Sequence, residues 1–129
     1  MTIDYGQADI AAFKQGALSG HIKFDPQAVD DVVRVYDVLI EGLRKEISKI
    51  QNIAVMTSFG GFPSTQQLAA GFARKADELN VVLKQFIIGA MQLQEAYLIA
   101  AGKTTEAEAK NTQVLQAIGR DLDAERPGV

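Results

Sequence analysis

The strongest constraint on this chain is an unbroken helical pattern from Ser64 to Ala101. Apolar residues recur at Leu68, Phe72, Ala76, Leu79, Leu83, Phe86, Ala90, Leu93, Tyr97 and Ala100, always in steps of three or four. That spacing draws one stripe along a helix of 3.6 residues per turn. Ser64, with Gln67 three residues on, makes a capping-box pattern in which each side chain satisfies an orphan backbone N–H. Gly102 offers a left-handed stop after the last turn. At 1.5 Å per residue such a helix is roughly 55–60 Å long. It cannot fold back on itself within one small domain, so it needs a long companion.

The companion begins at Asp25-Pro26, an acidic N-cap followed by proline at the first helical position, where the missing N–H costs nothing. Its stripe runs Val29, Val32, Tyr36, Leu39, Leu43, Ile47, Ile50 and Ala54. Between the two, Phe59-Gly60-Gly61-Phe62 followed by Pro63 stops one helix and delays the next. The pattern predicts an all-α fold, an elongated antiparallel helical hairpin over 25–102, with helices at about 25–55 and 64–101 and a turn at 57–63. A short third helix is expected over 103–120, starting near Thr105 with Glu108 as a second capping-box pattern and continuing through Val114, Leu115 and Ile118. Residues 1–24 hold at most a short helix around Ala8 to Leu18, and 121–129 reads as a disordered tail.

Composition narrows the function classes. The chain has 129 residues, 13 basic against 16 acidic, for a net charge of −3. Nucleic-acid binding needs a clustered positive field, and none is visible. There is no cysteine, which removes disulfides and thiolate chemistry. The one histidine, His21, has no second histidine to share a zinc ion with, and no serine lies in a nucleophile-elbow pattern. No catalytic constellation, metal site or cofactor is expected. No apolar run is long enough to span a bilayer, and Met1 to Phe13 carries Asp4 and Asp9 without an apolar signal-peptide core.

The second helix has apolar residues beyond one stripe. Val82, Ile87, Ile88, Met91 and Leu98 run beside it, which widens the apolar face past the roughly 100° of a solvent-backed helix. Either the third helix and the N-terminal segment cover this surplus, or another polypeptide does; the reading favoured here is a protein partner docked on Val82, Leu83, Phe86, Ile87, Met91 and Leu98. Phe59 and Phe62 either plug the hairpin end or anchor a partner there. Gly71 and Gly89, inside the helix, lower its propensity and suggest close approach by a neighbour.

A hairpin of this length broken by Phe59-Gly60-Gly61-Phe62, with Phe24-Asp25-Pro26-Gln27-Ala28-Val29 leading in and residues 63–72 leading out, resembles the WXG family of small proteins of the type VII (ESX) secretion system. The resemblance covers residues 24–110 and points to an actinobacterial-like source. It implies helical hairpins that dimerise into a four-helix bundle, and secretion without a classical signal peptide. Phenylalanine stands where that family has the tryptophan of its turn motif, and Tyr97 is followed four residues on by Ala101 rather than by the acid of the family's export motif. A homodimer or a heterodimer would fit, as would a cytoplasmic adaptor or targeting chaperone for a larger secreted effector. A small enzyme or ligand binder with a pocket among the helices is the third alternative.

Overall fold

A computed structural model describes the backbone of residues 3–56 and 63–124, and side chains at 3–52 and 66–120. The Phe59-Gly60-Gly61-Phe62 turn and residues 125–129 lie outside the described residues. What is described is all-α: α1 (Gln7–Leu18), α2 (Pro26–Met56), α3 (Pro63–Ala100) and α4 (Thr104–Ala124). None of these helices is long and apolar enough to cross a membrane.

The helix ends follow local chemistry closely. The Asp25 carboxylate accepts the Ala28 N–H at 3.0 Å, the N-cap bond expected from an aspartate ahead of a proline. Gly102 takes a φ of +74°, and there the Gly102 N–H donates to Ile99 O and the Lys103 N–H to Leu98 O. These two bonds are the Schellman pair that ends a helix at a left-handed glycine. The two expected capping boxes sit differently. α3 starts at Pro63 and α4 at Thr104, so Ser64 and Thr105 fall within first turns instead of preceding them. α4 is also longer than the expected 103–120, running 21 residues to Ala124.

α3 is the element on which the others assemble. α1, α2 and α4 each pack against it, and no other pair of described helices brings its backbones as close. Contacts with α2 run in opposite chain directions: the Phe24 N–H donates to Ala100 O, Val29 meets Leu98, and Gln94 bonds to Val33 and Asp37. Further along, Ile40 and Ile47 meet Ile87, Ile88 and Met91, with Val114 of α4 closing the cluster. A second cluster joins Val29, Leu98 and Ala107. Burying each such aliphatic side chain is worth about 1.5–3 kcal/mol, and these two clusters hold most of the apolar core.

The N-terminal segment and α1 are held by three kinds of contact. The Phe13 ring meets Phe24 and Tyr97 edge to face at 6.1 and 4.9 Å, and Tyr36 of α2 joins the same group at 6.0 Å from Tyr97. Burial, and then the neighbouring Tyr97, raises the Tyr36 phenol above its ordinary range. Lys14 reaches the buried Glu95 carboxylate at 2.8 Å, and Tyr5 lies on Gly89, where a Cβ would come within 2.7 Å of the ring. Gly71, by contrast, has only the tip of Arg74 nearby, at 3.8 Å. The close approach expected at both glycines therefore occurs at Gly89 alone, and it is made by an N-terminal side chain.

Candidate interaction surface

Two parallel rows run along α3. The first is Ala76, Asn80, Leu83, Ile87, Ala90, Gln94 and Tyr97, in alternating steps of four and three. Ala76, Asn80, Ile87, Ala90 and Gln94 are buried, and Leu83 and Tyr97 pack against the two core clusters. Such a seven-residue repeat suits neighbouring helices that cross at a small angle. Gln94 is fully buried and donates to Val33 O at 2.9 Å and to Asp37 Oδ1 at 2.7 Å. Its own Oε1 and the Oδ1 of Asn80 have no hydrogen-bond partner, a cost carried inside the seam.

The second row is Leu68, Phe72, Lys75, Leu79, Val82, Phe86, Gly89 and Leu93, with the same alternation one row further round the helix. Its C-terminal end is occupied by the chain itself: Tyr5 sits on Gly89, and the Ile3 N–H donates to the Gln85 side chain at 2.9 Å. Towards the N-terminus it opens to solvent, with Leu68 74%, Phe72 45%, Leu79 46% and Phe86 43% exposed. Two cavities of about 230 and 200 Å³ follow this row beside α2, the first between Leu39, Leu43, Phe86 and Leu93, the second between Ile50, Phe72 and Leu79. Lys75 is the one charged side chain lining them, and it pairs with Glu78 of its own helix at 3.3 Å.

The six residues that the sequence suggested for a partner interface fall in two places. Ile87 and Met91 lie in the core cluster with Ile40, Ile47 and Val114, and Leu83 packs on that cluster from its edge. Leu98 lies with Val29 and Ala107. Only Val82, half-buried, and Phe86, exposed, belong to the open row. The surplus apolar face of α3 is thus filled by α1 and α4 over its C-terminal half. Leu68, Phe72 and Leu79, read from sequence as part of the inward stripe, are the exposed ones. The signal that marks them is the spacing of Phe72, Leu79, Phe86 and Leu93 at intervals of seven, a second coiled-coil row beside the first.

Other chemistry is sparse. The Ser19 hydroxyl lies 2.6 Å from His21 Nδ1 on the exposed turn after α1 and also donates to Gly16 O at 3.1 Å. A serine nucleophile needs its base oriented by a third group, and no carboxylate among the described residues is paired with that ring. No group of three or more potential metal ligands occurs among the described residues. Compared with models of known protein families, with curated proteins and with solved structures, the chain matches none.

Proposed function

We propose that this protein is a non-enzymatic interaction module that works by pairing through the open row of α3, in the manner of the WXG-like partners of type VII secretion that its sequence resembles. The observation that supports this reading most is the uncovered stretch Leu68, Phe72, Leu79, Val82 and Phe86. It is about 27 Å of apolar seam at 1.5 Å per residue, with the residue spacing that a second helix pair would fill. Large apolar side chains gathered on one face, rimmed by charge, mark a contact site more often than a solvated surface.

The first occupant to consider is a second copy. Two α3 helices meeting antiparallel about a twofold axis near Asp77 would set Leu68 of each against Phe86 of the other, and Phe72 against Val82. Lys75 would then lie beside Glu78 of the other copy. With α2 behind each α3, the result is an antiparallel hairpin paired into a four-helix bundle. Export in company with a partner, or service as an adaptor for a larger effector, would follow from that pairing.

The test is light scattering with circular dichroism on the purified chain and on a Phe72→Glu/Leu79→Glu variant. Both side chains are exposed in the single chain, so the variant keeps its helical spectrum. The expected result is a dimer for the parent chain and a monomer for the variant. A parent chain that stays monomeric at high micromolar concentration, or a variant that still dimerises, removes self-association through this row.

A further inference from the structure

On the side of α3 away from the open row lies a cavity of about 330 Å³ between α2, α3 and α4. Its floor is apolar: Ile47, Ile87, Ile88, Met91 and Ala117. Its rim carries Arg44 from α2, Lys84 from α3 and Arg120 from α4, with Ser48 beside them and no acidic residue among the described lining side chains. Three cations from three helices thus meet at one apolar groove in a chain whose net charge is −3.

None of the three cations is in an ion pair among the described residues. Lys14, Lys49, Lys75 and Lys103 are each held in an ion pair with an acid of this chain. Arg44 and Lys84 are in no ion pair among the described residues. The Arg120 Nε–H makes only a long bond, 3.4 Å, to the Gln116 carbonyl one turn back. Guanidinium and ammonium groups around a carboxylate give charge-assisted bonds about twice as strong as neutral ones, and the rim offers two of the planar forks that suit such an anion.

We infer that this groove binds an amphiphilic carboxylate, an aliphatic chain on the isoleucine floor with its acid group among Arg44, Lys84 and Arg120. The size sets the class. At roughly 30 Å³ for each water-sized volume, 330 Å³ has room for about ten heavy atoms, a medium-chain acid. A partner helix fits poorly. Along α3 the groove extends only from Lys84 to Met91, roughly 10 Å, which is no longer than a helix with side chains is wide. Past Met91 it is closed by the packing of Ile40 and Val114. The site is independent of pairing, because helical spacing places the open row on the opposite side of α3.

Methionine supplies the probe. The chain has three, Met1, Met56 and Met91, and of these Met91 lines the groove. In a methyl spectrum of the full chain labelled at methionine, decanoate below its micellar concentration is expected to shift the Met91 signal saturably. Decanol, with the same chain and no charge, is expected to bind at least tenfold more weakly. An Arg44→Gln/Lys84→Gln variant should lose about tenfold in decanoate affinity with an unchanged circular dichroism spectrum, and Arg120→Gln should lose a smaller factor. Absence of a saturable Met91 shift, equal binding of decanol and decanoate, or full affinity in the double variant would each overturn the assignment.

Discussion

The two halves of α3 share one helical backbone but differ in content and in surroundings: 11 of the 21 residues from Gln66 to Phe86 are apolar, against 10 of the 14 from Ile87 to Ala100. From Ile87 to Ala100 no residue is exposed, since α1, α2 and α4 all pack around that half. From Gln66 to Phe86 only Ala76 and Asn80 are buried, and four large apolar side chains face solvent. One half is an ordinary core helix. The other is a helix with one apolar row left open. The difference shows that a broad apolar face does not identify its own cover: Ile3 and Tyr5 of the same chain close one end of the second row, while the same row a few turns earlier stays open.

Substitutions can break this contrast, beginning with the largest effect. Met91→Ala removes a side chain from the cluster of Ile40, Ile87 and Val114 and is expected to cost about 2–5 kcal/mol. Leu79→Ala, on an exposed site, should change single-chain stability by no more than about 0.5 kcal/mol. Urea titrations of the two variants at low protein concentration give the comparison directly. Equal losses would mean that the halves are not distinct.

Gly89→Ala puts a methyl group within 2.7 Å of the Tyr5 ring, an overpacking expected to cost about 1–3 kcal/mol. The double variant with Tyr5→Ala should recover much of that loss, since the clash is the coupling between the two sites. A double variant as unstable as Gly89→Ala alone would show that Tyr5 does not close the row. Gly71→Ala is the counterpart in the open half. Nothing stands in the way of its methyl group, so helix propensity alone predicts a gain of up to about 1 kcal/mol, read as a higher melting temperature.

Asn80→Leu tests the seam that the halves share. The buried Asn80 Oδ1 has no partner, so an apolar residue of similar size is expected to stabilise by about 1 kcal/mol. A loss of stability would reveal a requirement for the amide. The smallest effect is one of pH. The Tyr36 phenol is raised by burial and by Tyr97, so the folded chain holds that proton more tightly than the unfolded one. Its contribution is complete below the unfolded phenol's pKa of about 10 and is lost as pH rises through the higher folded value. Melting temperatures should therefore drop above about pH 10 less steeply in Tyr36→Phe than in the parent chain.

Much of this was legible from residue order. The N-cap at Asp25, proline at the first position of α2 and the left-handed Gly102 each act within one or two turns of chain, so local sequence determines them. The same holds for the all-α class and for the position of α3, because a pattern of threes and fours over so many turns fits no strand. Inward and outward rows were a different matter. On α2, Tyr36 to Leu43 can be stepped through Leu39 or through Ile40, and either path alternates three and four. The structure buries Ile40 to 4% exposure and leaves Leu39 at 49%. α4 repeats the case, with Val114 buried and the adjacent Leu115 exposed.

The residues expected to face a partner were ambiguous for the same reason. Two neighbouring a/d rows on α3 obey one spacing rule, and periodicity cannot rank them. Sequence alone determined that this chain is built of long helices, where α2 begins and where α3 stops, because those features arise from backbone bonding and caps within a few residues. Tertiary structure alone decided which row faces inward, that Tyr5 closes one end of the second row, and that Arg44, Lys84 and Arg120 meet at one groove. Those outcomes depend on which helices share space around α3, and that is settled by packing volume between segments far apart in the chain.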